Sequence, residues 1–169
     1  MVYLNPANLP ENDLAQALFE NTILHAQNFV RRIQDDKSMA NEALSEMASQ
    51  ISEYALAIMT FYFFKAGRGD LQKLVIKKSE DFFIKNCGLS DESVCQIGLN
   101  EWRQEIQRKM AWLSLGNNTA NLDSNIFVRN ILSDQNLQAA EMDRCRMRPQ
   151  VDQFVCDIQT SMKHFGIVD

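Results

Sequence analysis

The sequence predicts an all-α fold: a compact bundle of five to seven helices around one long, central hydrophobic helix. The first sign is the run from Ser38 to Lys65, which changes character halfway along. Ala40, Leu44, Met47 and Ile51 recur at helical spacing among Glu42, Ser45, Glu46, Ser49, Gln50 and Glu53, and Tyr54, Ile58 and Phe61 continue the seam. From Tyr54 to Phe64, however, Thr60 alone is not hydrophobic. A helix apolar all round must be enclosed by other elements, and a stretch this short falls well below the roughly 20 residues that span a bilayer. The second sign is that further stretches on both sides carry apolar stripes of helical period. The third is that no run of alternating β-branched residues reads as a strand.

Taken in order, the first helix is expected to start near Asn8–Pro10. Asn8 can cap, Pro10 is tolerated in a first turn, and Glu11 stands three residues after Asn8 as a capping box requires. Leu18, Phe19, Thr22, Ile23, Ala26, Phe29, Val30 and Ile33 then form one broad stripe, broken at Asp35–Ser38. The long second helix ends at Gly67 and Gly69. Asp70 is the expected cap of a third, in which Leu71, Leu74, Val75 and Phe82 share a face before the stop at Gly88.

A fourth start is marked by Ser90 as N-cap, Asp91 and Glu92 at the positive end of the helix dipole, and Leu89 with Val94 as a staple. Its buried stripe is Cys95, Leu99, Trp102, Ile106, Met110 and Leu113. Gly116–Asn125 reads as a loop. Short helices follow around Ile126–Leu132 and Leu137–Arg146, and Pro149 is expected to open a last helix facing the core through Val151, Phe154, Val155, Ile158, Met162 and Phe165.

A chain of 169 residues suggests a single domain. Folding at this size buries roughly 70% of the surface of the open chain, enough for a core without staples. The formal net charge of −5 argues against general nucleic-acid binding, which needs a dominant basic field. Met1–Glu20 lacks a basic flank followed by an apolar core, so no secretory signal is read and a cytoplasmic location is expected, export by a signal-independent route aside. Cys87, Cys95, Cys145 and Cys156 form no CxxC pair and are expected to be reduced thiols within helical patterns.

Catalytic patterns are missing. His25 lies at the edge of the first stripe and His164 in the last turn before Gly166, where a cation suits the helix end. There is no HExxH and no Glu three residues before either histidine, so zincin and di-iron carboxylate chemistry lack support. A cysteine nucleophile would need Cys156 to meet His164 or Cys87 to meet His25. No phosphate-binding glycine loop or nucleophile elbow occurs, and no cofactor or metal is expected. Arg68-Gly69-Asp70 looks like an integrin-binding tripeptide but reads better as a helix connection, and Asn117-Asn118-Thr119 is a sequon of low specificity.

Two features suggest binding. Arg144, Arg146 and Arg148, with Arg129, make a candidate basic patch for a carboxylate, phosphate or acidic partner, set against a plain solvated helix end before Pro149. Alternate helical positions lie about 200° apart, which works against a shared face. The aromatic residues are also numerous for one small core, and Phe83 and Trp112 fall off their helices' buried faces.

The leading expectation is therefore a non-enzymatic interaction protein, a small helical adaptor, chaperone or inhibitor. Phe83, Trp112, Arg129, Arg144, Arg146 and Arg148 are its candidate contacts with another protein or a second copy of the chain. The alternative is a ligand-binding helical domain with a pocket of Phe61, Phe64, Phe82 and Trp102, and an arginine holding an acidic ligand group.

Overall fold

The computed structural model describes residues 8–35, 41–86, 88, 92–114 and 141–169, without the side chains of 34–35, 41–47, 49, 92, 112–114 and 141–147. Five helices form among these residues: α1 (Glu11–Asp35), α2 (Asn41–Lys65), α3 (Gly69–Asn86), α4 (Glu92–Ser114) and α5 (Glu141–His164). The protein is an all-α bundle. The expected Ser90 cap, the Gly116–Asn125 loop and the short helix at Ile126–Leu132 lie outside the described residues.

Helix α2 packs against all four others. The reason is visible in its second half, where every side chain from Tyr54 to Thr60 is buried, as are Tyr62 and Phe63. Such a segment has no solvent face, so neighbours must surround it. Around it close Leu14, Leu18 and Phe29 of α1, Leu71 and Val75 of α3, Ile106 of α4, and Val151, Phe154, Ile158 and Met162 of α5. Phe29 and Phe154 meet edge-on with ring centroids 5.3 Å apart, which fixes α1 against α5.

The helix ends follow backbone chemistry. Gly67 takes a left-handed φ of 66°, a conformation costly for a residue with a Cβ. This turns the chain so that Arg68 N–H donates to the Phe63 carbonyl at 2.9 Å and Gly67 N–H to Phe64 at 3.2 Å. That double closure is a Schellman motif. Gly166 repeats it at the end of α5, with Ile167 N–H on the Met162 carbonyl and both of those side chains buried.

Four expectations are corrected, three about boundaries and one about a buried face. The first helical hydrogen bond of α1 runs from Leu14 N–H to the Pro10 carbonyl, so Pro10 rather than Asn8 occupies the cap position. At α3 the Arg68 carbonyl accepts from Gln72 N–H, so Arg68 caps and Asp70 sits in the first turn. Phe82, expected on the buried face of α3, stands 47% exposed, because the face turned to the core passes through Leu71, Val75 and Ser79. Finally, Pro149 lies inside α5 instead of opening it. Proline deprives a helix of one hydrogen bond, but Pro149 is exposed and the buried row from Val151 to Met162 holds the helix down on the core.

Candidate functional site

Helices α1 to α4 leave a cleft of about 300 Å³ between them, near the lower bound of small-molecule sites. Phe19, Thr22 and Ile23 of α1 form one wall, and Ser52, Glu53 and Leu56 of α2 form the floor. Ser79, Phe82, Phe83 and Asn86 of α3 and Trp102 of α4 complete it.

Local pattern explains the space. On α3 the core-facing row runs Leu71, Val75, Ser79 at steps of four, so a small polar residue occupies the place where the row would continue with a large apolar one. Ser79 satisfies its hydroxyl on the Val75 carbonyl at 3.0 Å, so it stays buried without a cross-helix partner. Thr22 on α1 likewise donates to the carbonyl four residues back, Leu18 at 3.1 Å, and its hydroxyl also lies 3.3 Å from Met59 Sδ of α2. Missing side-chain volume at these positions leaves the cleft open.

Its aromatic walls are ordered in pairs. Phe83 stacks on Trp102 with centroids 6.1 Å apart and planes 29° apart, while Phe82 tilts against Phe19 at 5.5 Å. An ion pair braces the first of these: Arg103 donates from Nε at 2.6 Å and from Nη2 at 3.0 Å to the two oxygens of Glu80. This fork joins α3 to α4 close to the rings those helices carry.

Below the floor lies a second ion pair. Lys109 donates to Glu53 Oε2 at 2.6 Å, and its ammonium also stands 5.0 Å from the centre of the Tyr54 ring. Lys109 does not line the cleft, whereas Glu53 does. Glu105 approaches Lys109 to 3.6 Å and is itself paired with the more exposed Arg108.

The residues singled out in the sequence separate into three groups. Phe82, Phe83 and Trp102 come together in the cleft. Phe61 and Phe64 do not. Phe61 packs edge-on against Tyr62 beneath Lys65, and Phe64 is 78% exposed. The part of α2 that faces the cleft is Ser52–Leu56, and at 1.5 Å per residue Phe61 and Phe64 fall roughly 10 Å beyond it. Among the described residues the lining holds no arginine to grip an acidic ligand group, and its one charged side chain is an acid, Glu53. Arg148 is exposed on α5. Arg129 and the side chains of Trp112, Arg144 and Arg146 lie outside what is described, but the backbone of 144–148 runs within α5, not at its C-terminal end.

Phe19, Ser79 and Glu53 were not singled out. The interruption of the α3 stripe by Ser79 was the legible signal; the approach of Glu53 to three other helices carries none in one dimension.

One further polar cluster links α1 to α5. His25 Nε2 lies 2.9 Å from Ser161 Oγ, and the Ser161 hydroxyl is 3.5 Å from Asn21 Oδ1. Asn21 Nδ2 donates to the Ala17 carbonyl at 3.0 Å, which aims its amide oxygen at Ser161. Ser161 can donate to Asn21, and the imidazole tautomer decides whether His25 Nε2 donates to or accepts from the Ser161 hydroxyl. Burial pushes the His25 pKa down; the nearby Asp157 carboxylate opposes this, and Arg32 adds to it. Arg32 and Asp157 themselves pair at 2.9 Å across the same two helices. Neither His25 nor Ser161 lines the cleft, and the cluster acts as a polar clamp between helices.

Cys156 is exposed, and His164 stands two turns away, about 12 Å along the same helix, too far to pair. Among the described residues no group of three His, Cys, Asp or Glu is placed to hold a metal ion. Nor is any helix among them long and apolar enough to cross a membrane. Comparison of the chain with protein families, curated proteins and solved structures returned no match.

Proposed function

We propose that the protein is a small-ligand-binding helical domain, acting by binding and not by catalysis, with the cleft among helices α1 to α4 as its site. The observation that carries this reading is the convergence of Phe19, Phe82, Phe83 and Trp102 from three helices on one cavity with a few polar groups. Concave, mostly apolar cavities with sparse, placed polar groups are where small molecules bind. Thermal-shift measurement against a panel of small aromatic fragments tests it. A fragment at 100 times its Kd stabilises by about 2.7 kcal/mol, which for a chain of this size raises Tm by roughly 5 to 10 °C. Ser79→Leu, which pushes a larger apolar side chain into the cleft, reduces the shift. A flat response across the panel would remove this reading.

The second reading is a non-enzymatic protein-binding module, an adaptor, chaperone or inhibitor that contacts a partner or a second copy of the chain. It is favoured by Phe64, a large ring 78% exposed at the end of α2. Buried aromatic side chains dominate interface energetics. Light scattering of the native protein beside Phe64→Ser distinguishes the cases: a mass that falls on substitution supports self-association through this ring.

A further inference from the structure

We infer that the cleft selects a small organic cation, a primary amine or related ammonium carried on an aromatic or alkyl body. This rests on the reading of the cleft as a ligand site and specifies which chemistry it accepts.

Several of the polar groups on the lining are acceptors, although Trp102 also brings an indole N–H, which donates. The single hydrogen of the Ser79 hydroxyl is committed to the Val75 carbonyl at 3.0 Å. That of Thr22 is taken up by the Leu18 carbonyl at 3.1 Å and Met59 Sδ at 3.3 Å. A hydroxyl whose proton is used this way can meet a ligand only with its lone pairs. Asn86 donates one Nδ2 hydrogen to the Phe82 carbonyl at 2.7 Å, which leaves its amide oxygen to accept and its second hydrogen to donate. Glu53 adds a carboxylate, a group that accepts at both oxygens. Its capacity of about four acceptor positions allows it to keep the bond from Lys109 and take another.

The walls agree with the floor in sign. Phe82, Phe83 and Trp102 present aromatic rings, whose faces attract cations. Among the described residues, no lysine or arginine lines the cleft to attract an anion or repel a cation. Lys109 neutralises Glu53 from behind, where it is also held by Glu105 and the Tyr54 ring, so a bound ammonium would meet the carboxylate first.

The test is isothermal titration of the intact wild-type chain at pH 7 with three probes of one shape: 2-phenylethylammonium, 2-phenylethanol and 3-phenylpropionate. The expected result is that the ammonium binds at least about tenfold more tightly than the alcohol, with the carboxylate weakest. Glu53→Gln brings the ammonium close to the alcohol, and Ser79→Ala, which leaves the Lys109 pair intact, weakens the ammonium more than the alcohol. If the alcohol or the carboxylate binds as well as the ammonium to the wild-type chain, the cation preference is wrong and the ligand site stands. If none of the three binds and the fragment panel is also silent, both fail. The wild-type comparison decides the question even where a variant fails to fold.

Discussion

The Lys109 ammonium donates to the Glu53 carboxylate across 2.6 Å, with the two side chains only 9% and 14% exposed. The pair ties α4 to α2 and sits directly beneath the cleft. Charges this far from water are stable only together, because each has lost hydration that the other replaces.

Lys109→Met is therefore expected to be strongly destabilising. Breaking a buried pair by removing one partner costs about 3 to 5 kcal/mol, here toward the lower figure because Glu53 retains some contact with solvent. The double variant Lys109→Met, Glu53→Leu recovers most of that loss, since an apolar pair of similar volume is often neutral. Urea denaturation of the wild type, both single variants and the double variant measures the coupling. Additive losses would show that the two groups do not depend on each other.

Adjacent phenylalanines of α2 are expected to respond in opposite ways. Phe63 is fully buried and Phe64 is 78% exposed. Phe63→Ala should cost about 3 to 5 kcal/mol, the usual loss for a core aromatic. Phe64→Ala should change stability by no more than about 0.5 kcal/mol. Chemical denaturation reads both, and equal losses would contradict the orientation of α2.

Thr60 is the one residue from Tyr54 to Phe64 that is not hydrophobic, and it is fully buried. Its hydroxyl finds no hydrogen-bond partner among the described residues. An unsatisfied buried hydroxyl costs free energy, and valine keeps the β-branched shape without it. Thr60→Val is expected to raise stability by about 1 kcal/mol, seen as a higher urea midpoint at unchanged slope.

The buried His25 gives stability a pH dependence. Burial lowers its folded-state pKa below the ordinary 6.5 of the unfolded chain. The unfolded state thus binds the proton more readily, so stability from this group is complete above about pH 7. It is lost as the pH falls through 6.5 toward the folded-state value, below which the loss levels off. His25→Gln should flatten the stability profile between pH 7 and 5.5. A wild-type profile already flat in that window would contradict the burial of a neutral imidazole.

Much of the bundle was legible because helical burial is periodic. Leu18 and Phe29, Leu71 and Val75, and Phe154 and Met162 all recur at the spacing that places them on one side of a helix, and all are buried. The all-apolar stretch of α2 likewise announced its enclosure. What escaped was set by partners distant in the chain. Lys109 lies outside the expected stripe of Cys95, Leu99, Trp102, Ile106, Met110 and Leu113, yet Glu53, 56 residues away, makes its burial tolerable. His25 looked like a boundary residue because Ser161, its partner, is 136 positions distant. Phe64 was assigned to a pocket because the apolar run includes it, but α2 ends one residue later, past its neighbours' cover. Pro149 was read as a beginning because local preference says so, whereas the contacts of Val151 and Phe154 with the core outweigh it.

The most direct measurement is chemical-shift mapping of the 15N-labelled protein, titrated with the fragment giving the largest thermal shift. Saturable changes are predicted at the Trp102 indole N–H and at the backbone amides of Ser52, Ser79, Phe82 and Phe83, with α5 unmoved. Saturable changes confined to other surfaces, or none at these groups, would contradict the cleft as the site of binding.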